Sequence, residues 1–340
     1  MNEGQSVRQW LSQGSRTRVF QVIAGTLSGV LIILLAVAIS ALVFRAYGWG
    51  LFVLTPFVVG FTTGFIVNRQ ELQSMSRTNG MVLLSAALGC FGLILFALEG
   101  LICLILASPL AAGVAVAGGA LGRRAARIRK DPMGPVYCIA LLPVMFAVDA
   151  VYPPAITMMT DESIFIDASA QQVWQAVTTD EPIREPATLV GRMGLAYPER
   201  AHLSGRGVGA TRTGYFSTGT SRERIIDWEE GKLLGFMVLS QPPAIREMSP
   251  YQHVHAPHIV GYFETGETQF EIEPLGKQRS RLTIRAAHRL RIDPVIYWEP
   301  IARWAASSNT RRVLRDLKSK AEARCNHDPR ALASNLYSHS

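Results

Sequence analysis

The first half of the chain contains four long apolar regions, and these constrain its fold more than any other feature. Val19–Phe44 and Gly50–Val67 are each long enough to cross a bilayer, since about 20 helical residues span the hydrocarbon core. Met81–Leu121 is about twice that length and is interrupted at Glu99, so we expect two helices there. Pro135–Val151 is the fifth and weakest candidate. The sequence therefore predicts a membrane region of about five spans.

The expected organisation of the chain has four parts. A cytoplasmic tail over 1–18 precedes a transmembrane region over 19–155, a soluble domain covers 160–324, and a flexible tail covers 325–340. Two alternatives remain open: a re-entrant hairpin in the third apolar region, and a fifth segment that lies along the membrane interface. The expected spans are 19–44, 50–67, 81–98, 101–121 and 135–151.

The positive charge of the chain accompanies these apolar regions. The chain has 34 Lys/Arg and 26 Asp/Glu, a net charge of +8; residues 1–159 hold 11 and 5 of them, and residues 160–340 hold 23 and 21. A pI near 9.6 would suggest nucleic acid as a partner. Here the excess lies in short segments between apolar regions, where it indicates membrane topology. Nucleic acid is therefore not an expected partner.

The basic residues of the short loops also predict the orientation. If five spans are counted, ten of them fall on one side, and the positive-inside rule places that side in the cytoplasm. The C-terminal half then lies on the extracytoplasmic face of the cell (inner) membrane, whereas four or six crossings would make it cytoplasmic. The ten residues are Arg8, Arg16, Arg18, Arg69, Arg77, Arg123, Arg124, Arg127, Arg129 and Lys130, with Arg45 opposite.

Glycines four residues apart occur in three of the spans. Gly25-xxx-Gly29, Gly60-xxx-Gly64 and Gly118-xxx-Gly122 allow helix backbones to approach closely. Packing within one bundle is the favoured interpretation, and a homo-oligomer through these faces is the alternative. Glu99 and Asp149 lie near span ends and are expected at the membrane interface. The bundle therefore resembles an anchor, or a wall beside a lipid site, more than an ion pump.

From Asp161 the pattern changes to short alternating segments. Ser163–Asp167 predicts a strand, and Ala168-Ser169 caps a helix over Gln171–Thr178. A strand meander, a hairpin and a long helix follow, and alternate residues from Leu282 to Leu290 share one face of the last strand. The strands are Arg200–Ser204, Ala210–Phe216, Arg222–Trp228, Leu233–Leu239, Gly261–Glu273 and Arg281–Arg291, and the helix is Pro294–Ala323.

This order of elements is that of the helix-grip fold, and the residues carry a closer resemblance. The segment SIFIDASAQQVWQAVTT resembles the opening of START-like domains of the SRPBCC superfamily (polyketide cyclase/dehydrase and lipid-transport proteins). The segments GVGATRTGYFSTG, IIDWEEGKLLGFMV, SPYQHVHAPHIVGYF and PVIYWEPIARW resemble a subgroup with several spans ahead of that domain. The expected fold is a multi-span α-helical region followed by an α+β START-like domain.

The resemblance implies a curved antiparallel sheet that grips the C-terminal helix around a largely apolar cavity. Members of the superfamily bind lipids, sterols, aromatics or polyketides, and only some are enzymes, so the fold alone does not select a ligand. The aromatic residues expected there are equally explained as ordinary core. The residues expected to line the cavity are Trp174, Arg212, Tyr215, Trp228, Phe236, Tyr262, Arg285, His288 and Trp298.

Two of these residues are candidates for binding a polar group. If Arg212 and Arg285 point inward, they would meet the carboxylate or phosphate of a lipid; exposure on the outer sheet face is the alternative. The apolar stripe of the closing helix also changes side near Ser307. That change indicates either a bend or a second surface against the first half of the helix, and Trp298 and Trp304 suit a membrane interface.

Three histidines form the densest set of potential metal ligands. His253 and His255 are two residues apart and project to one side of an extended segment, with His258 or Glu247 available to complete a zinc or iron site. The neighbouring prolines indicate a loop, so hydrogen-bonding histidines are favoured and no cofactor is expected. No GxSxG, HExxH or Walker motif occurs, and no catalytic residue is assigned.

The function expected from the resemblance and the spans is membrane-anchored binding or transfer of a hydrophobic ligand that is lipid, sterol-like or polyketide-like. Its partners are then membrane lipid and a hydrophobic small molecule. One alternative is a cyclase/aromatase-type or metal-assisted enzyme that acts on a hydrophobic substrate. Another is a regulatory membrane scaffold whose cavity has collapsed. Binding is favoured over catalysis.

Overall fold

In the computed structural model, which describes residues 3–128, 133–246 and 261–326, the apolar regions of the first half form helices. The described residues include five helices that are long and apolar enough to cross a membrane: Phe20–Phe44, Gly50–Asn68, Met75–Leu95, Leu101–Ile128 and Gly134–Val151. The helix bounds are α1 Glu3–Ala38, α2 Thr55–Asn68, α3 Met75–Leu95, α4 Leu101–Ile128 and α5 Met133–Val151, with π-helical segments at Ile39–Phe44 and Gly50–Leu54.

Two of these helices begin earlier than the sequence predicts. α1 begins at Glu3, so most of the segment expected to be a tail is helical; residues 3–18 contain no proline that would stop a helix. α3 begins at Met75 because Ser74 caps it, its Oγ accepting the backbone N–H of Arg77 at 3.2 Å. The third apolar region is divided between α3 and α4 at the segment that contains Glu99.

Glycines allow α2 and α4 to pack closely. A Cβ at Gly60 would overlap the backbone of Ala115, and one at Gly118 would overlap the carbonyl oxygen of Phe57. Any larger residue would therefore push the two backbones apart. Gly29 on α1 is covered in the same way by side chains of α2 and α3. The three Gly-xxx-Gly faces contact other helices of the same chain, as the favoured interpretation expects, and a homo-oligomer through them stays a prediction.

Two carboxylates are buried at one end of the helical unit. The Tyr47 hydroxyl donates to Glu99 Oε1 at 3.0 Å, and the backbone N–H of Gly50 donates to Asp149 Oδ2 at 2.8 Å. The exposed fractions of Glu99 and Asp149 are 6% and 7%. The turn between α1 and α2 supplies donors to both carboxylates, so they are buried within the helical unit, and their position at the membrane interface stays a prediction.

A separate α+β unit begins at Ala155. Its sheet has seven antiparallel strands in the order β1-β7-β6-β5-β4-β3-β2. β1 starts seven residues before the predicted strand, because it pairs with β7 along its whole length, from Ile156 opposite Leu290 to Ile166 opposite Ser280. The strands are β1 Ile156–Ile166, β2 Pro198–Ser204, β3 Thr211–Phe216, β4 Gly219–Glu229, β5 Leu233–Ser240, β6 Phe263–Gly276 and β7 Arg279–Leu290.

Helices α6, Ala170–Val177, and α7, Leu189–Arg192, precede β2, and α8, Val295–Asn326, follows β7. The predicted cap at Ser169 is confirmed. Its Oγ accepts the N–H of Gln172 at 3.4 Å, and Gln172 Oε1 accepts the N–H of Ser169 at 2.9 Å. The predicted fold class, an apolar helical region followed by an antiparallel START-like sheet with a long C-terminal helix, is confirmed.

α8 runs beside the edge strand β1 and bonds to it. Arg311 donates two hydrogen bonds to the Glu162 carboxylate, at 2.8 and 2.9 Å, and this guanidinium holds the pKa of Glu162 below its ordinary value. Arg303 donates to the main-chain carbonyl of Met159. An unprotected sheet edge can pair with another chain, so these bonds both fix the helix and protect the edge.

The second half of α8 is buried on two sides. Leu314 and Leu317 pack in the core beneath the sheet. Trp298 lies on the buried face of the first half of α8. In the second half, the same side of the helix carries Arg312 and Asp316, which are also buried. The apolar stripe therefore changes side because charged residues occupy that face in the second half. The 181–186 loop contacts the second half of α8, whereas the sequence placed a second surface against the first half, which stays a prediction.

Candidate ligand-binding face

The inner face of the sheet changes from apolar to polar along its strands. At one end, Ile166, Leu282 and Phe270 are buried in a continuous apolar core with α6 and α8. Further along the same face, several of the buried side chains are polar, although burying a polar group costs free energy unless it is bonded. These polar residues are Thr160, Ser221, Glu223, Thr268 and His288.

Arg212 and Glu223 form an ion pair in this polar region. The two residues are opposite each other on β3 and β4, and Arg212 Nη1 donates to Glu223 Oε2. The hydroxyl of Ser221 donates to the other carboxylate oxygen at 2.6 Å. The side chains of Glu223 and Arg212 are 3% and 16% exposed, so the ion pair is largely removed from solvent. Gly214 leaves room for it, because a Cβ there would crowd Ser221 and Glu223.

The Arg212 guanidinium retains donors that this ion pair does not use. A guanidinium has five N–H groups, and within the described residues its only hydrogen bond is the one from Nη1 to Glu223. Its carbon lies 4.3 Å from the centre of the Phe236 ring, so the cation rests on an aromatic surface. This arrangement can bind a planar anion such as a carboxylate, or a phosphate.

His288 is the second polar centre of the inner face. Its Nε2 lies 3.0 Å from the hydroxyl of Thr160 and its Nδ1 lies 3.1 Å from the hydroxyl of Thr265. The ring stacks on Phe263 with centroids 5.1 Å apart. Burial lowers the pKa of His288 to about 4, and the positive charge of Arg303 adds to this effect. The imidazole is therefore neutral near pH 7, with one nitrogen donating and the other accepting.

Two of the expected cavity residues face the other way. Arg285 pairs on the outer face with Asp161, at 3.0 Å, and with Glu271, at 2.8 Å. Side chains alternate along a strand, so Arg285 cannot share a face with His288, three residues away. Tyr215 is also outward, with the Arg200 guanidinium 4.4 Å from its ring centre. These two assignments are corrected.

The remaining aromatic residues belong mainly to the core and its border. Trp174 and Trp228 meet edge to face with centroids 5.1 Å apart, beneath the apolar end of the sheet. Phe236 lies at the boundary between the apolar and polar regions. Trp298 is buried on the first half of α8. Tyr262 lies just before β6, where its carbonyl accepts the N–H of Arg291.

The structure adds residues that the sequence prediction omitted. Glu223 and Ser221 complete the Arg212 centre, and Thr160 and Thr265 complete the His288 centre. The sequence of β4 contains a signal for the first set: Ser221 and Glu223 occupy alternate positions that lead to Ile225 of the core. That alternation places all three on the inner face.

A charged groove of about 360 Å³ lies elsewhere on the unit, along the second half of α8. Its residues hold the 181–186 loop in place. Asp316 accepts the N–H of Arg184 at 2.7 Å, and Lys320 donates to the carbonyl of Glu181 at 3.1 Å. These charges are already bonded within the protein, so the groove is a poor match for an apolar ligand.

The predicted metal ligands His253, His255 and His258 lie outside the described residues. Within residues 3–128, 133–246 and 261–326, no three His, Cys, Asp or Glu side chains are grouped so that they could hold a metal ion. The metal hypothesis therefore remains a prediction.

A seven-stranded antiparallel sheet packed on a long C-terminal helix defines a START-like domain. Residues 159–322 match the family described as polyketide cyclase / dehydrase and lipid transport, and this part of the chain resembles members of that family. A comparison with curated proteins finds no match.

Solved structures similar to this chain include enzymes and a START protein. The aromatase/cyclase Zhui from Streptomyces sp. R1128 is 14% identical, with 50% of this chain and 96% of that chain covered and a TM-score of 0.33. Norcoclaurine synthase from Thalictrum flavum is 14% identical over 51% and 90%, with a TM-score of 0.31. A START superfamily protein from Mycobacterium smegmatis is 13% identical over 48% and 97%, with a TM-score of 0.33. Likeness at this level does not assign a ligand or an activity.

Proposed function

We propose that this chain is a membrane-anchored protein whose START-like domain binds a hydrophobic molecule bearing a carboxylate or phosphate. The observation that supports this most directly is Arg212, whose side chain is 16% exposed and whose guanidinium, within the described residues, uses only one of its N–H groups, toward Glu223. The ligand's apolar part would lie towards the apolar end of the inner face. Its anionic group would meet the free N–H groups of Arg212.

The energetics of such a complex favour a long apolar chain. Each methylene buried in the domain contributes about 0.8 kcal/mol, and a two-point hydrogen bond from a guanidinium to an anion adds orientation. Glu223 holds the guanidinium against Phe236 before the ligand arrives, so less freedom is lost on binding. The apolar burial would supply most of the affinity and Arg212 most of the selectivity.

The helical unit would act as the anchor. Five helices have the length and composition of membrane spans, and four residues, Tyr152–Ala155, join the last of them to β1. A tethered domain samples lipids at a high effective concentration. With five spans and the basic loops in the cytoplasm, the domain would be extracytoplasmic, as the charge distribution predicts.

The test is to identify the small molecules that co-purify with the full-length protein. Lipid extracts of wild type and of Arg212→Gln are compared by mass spectrometry, with Arg222→Gln as the matched control, since Arg222 is exposed on the neighbouring strand. We expect an anionic amphiphile enriched on wild type and on the control but lost from Arg212→Gln. Equal retention by all three proteins would contradict the proposal.

A second variant distinguishes loss of ligand binding from loss of folding. Arg212→Gln leaves Glu223 buried without its partner, so the double variant Arg212→Gln, Glu223→Gln removes both charges together. If the double variant melts like wild type and still lacks the ligand, the loss reflects recognition and not unfolding. Retention of the ligand by a folded double variant would argue against the Arg212 site.

Catalysis of the cyclase/aromatase type is a second candidate function, favoured by His288. Its imidazole is neutral and lies on the inner face among hydroxyl groups, so it can hydrogen-bond and orient a polar group of a bound substrate, although its lowered pKa makes it a weak base. Recovery of a converted product after incubation with a bound polyketide-type molecule, lost in His288→Gln, would favour this function. Recovery of the unchanged molecule would favour binding.

A further inference from the structure

One end of the helical unit carries a concentration of arginines. Arg69 follows α2, Arg77 lies in the first turn of α3, and Arg123, Arg124 and Arg127 occupy the last two turns of α4. The described residues of the α2–α3 turn and of the end of α4 contain a single carboxylate, Glu71. The other end of the unit holds the two buried carboxylates already described. The unit is therefore electrically polarised along its helices.

The fold assembles these arginines from separate helices. Asn68 fastens the α2–α3 turn, since its amide nitrogen donates to the Thr78 hydroxyl at 3.0 Å and its oxygen accepts the N–H of Gln73 at 2.8 Å. Arg123 Nε donates to the carbonyl of Gln73 at 2.9 Å, which ties α4 to the same turn. Three segments that are distant in sequence thus present their positive charges together, on a turn that these bonds hold fixed.

Four of the arginines have no partner among the described residues. Arg69, Arg77, Arg124 and Arg127 are exposed, and no described carboxylate or carbonyl bonds to their side chains. Like charges held together repel one another unless an anion neutralises them. On a membrane protein, this end of the helices lies at the level of the lipid headgroups, where phosphates are the abundant anions.

We infer that this end of the helical unit binds the headgroups of anionic phospholipids through Arg69, Arg77, Arg124 and Arg127. The inference rests on the membrane insertion in the proposed function but involves a different surface from the Arg212 centre. Guanidinium groups bind phosphate oxygens in pairs, and clusters of four or more basic residues beside a span attract anionic lipid. Topology alone requires positive charge on this side; it does not require four exposed arginines that have no partner among the described residues.

The experiment measures lipid retention by the full-length protein. Protein is reconstituted in nanodiscs containing equal amounts of phosphatidylglycerol and phosphatidylcholine, and the lipids kept after stepwise delipidation are counted by native mass spectrometry. We expect phosphatidylglycerol to be retained roughly tenfold over phosphatidylcholine by wild type. The variant in which Arg69, Arg77, Arg124 and Arg127 are all changed to Gln should lose that preference.

A matched control has four exposed arginines of the α+β unit changed to Gln. These residues likewise have no partner among the described residues, so the control removes the same charge from a different surface; they are Arg206, Arg222, Arg224 and Arg289. The control should keep the wild-type preference. A preference that survives in the first variant, or that falls equally in both, would overturn the inference.

Two further measurements distinguish a failure of headgroup binding by the arginines from a failure of the proposed function. Resistance to carbonate extraction tests membrane insertion directly, and the co-purifying hydrophobic ligand tests the Arg212 centre. We expect both to be unchanged in the first variant. Inorganic phosphate at millimolar concentration should not displace the retained phosphatidylglycerol, because the lipid is also held by its acyl chains; displacement by phosphate would show that the site binds the free ion and would overturn the lipid assignment.

Discussion

Arg212 and Glu223 face each other across β3 and β4, on the inner side of the sheet, as an ion pair from which solvent is largely excluded. Charges of this kind are costly to bury and contribute little net stability compared with an apolar pair. Their position beside Phe236, where the apolar core ends, is the feature on which the proposed ligand site rests. The stability of single and double variants tests whether the two residues behave as a pair.

The change Glu223→Ala should destabilise the folded protein strongly. It leaves the Arg212 cation largely buried without its carboxylate, a situation that typically costs about 3–5 kcal/mol. Thermal melting of the full-length protein in detergent measures the effect. The double variant Arg212→Met, Glu223→Met should recover most of the loss, because it removes both charges. Equal melting temperatures for the single and double variants would show that the two side chains are not coupled.

His288 predicts an acid-induced loss of stability. Its pKa is about 4 in the folded domain and 6.5 without burial, so the unfolded chain binds the proton more readily. The free energy of unfolding should therefore fall as the pH decreases from about 6.5 to about 4, by roughly 3 kcal/mol from this group. Melting curves at pH 7, 5.5 and 4.5 measure the slope. His288→Gln should show a smaller decrease, and an identical decrease would refute the assignment.

Arg312 should be the most important charged residue of α8 for stability. It is 3% exposed and donates to the carbonyls of Glu185, Pro186 and Pro198, which fixes the chain ahead of β2. Arg312→Ala leaves these carbonyls without that donor and should cost roughly 2–4 kcal/mol. The control Arg315→Ala removes an exposed arginine of the same helix and should change the melting temperature little. Similar losses in both variants would contradict this account.

The close packing of α2 and α4 predicts a sharp effect of one methyl group. Gly60→Ala places a Cβ into the backbone of Ala115 and should destabilise the helical unit by about 1–3 kcal/mol. Gly113→Ala on α4 is the matched control, since a Cβ there meets nothing within 4 Å. Titration with dodecyl sulfate, followed by circular dichroism, compares the two variants with wild type. A harmless Gly60→Ala would show that the two helices are further apart than described.

Much of the architecture follows from local patterns. Apolar length predicts where the long helices lie, and alternation in Leu282–Leu290 correctly places His288 on the buried face. The Ser169 cap depends on neighbouring residues and is also predicted correctly. Each of these features has its physical cause within a few residues of itself, which is why a single sequence reveals them.

What the tertiary structure decided is which distant groups meet. The sequence shows the charges of Arg212 and Glu223, but only strand register places them opposite each other; the same register turns Arg285 outward to Asp161. Likewise, Glu99 is buried because Tyr47, 52 positions away, supplies a donor. The length of β1 is set by β7, more than a hundred residues later. The sequence by itself therefore determines the helices, the strands and their buried faces. The Arg212–Glu223 centre, by contrast, exists only where long-range pairing brings bonded partners together, because no local pattern reports the partner that makes burial of a charge tolerable.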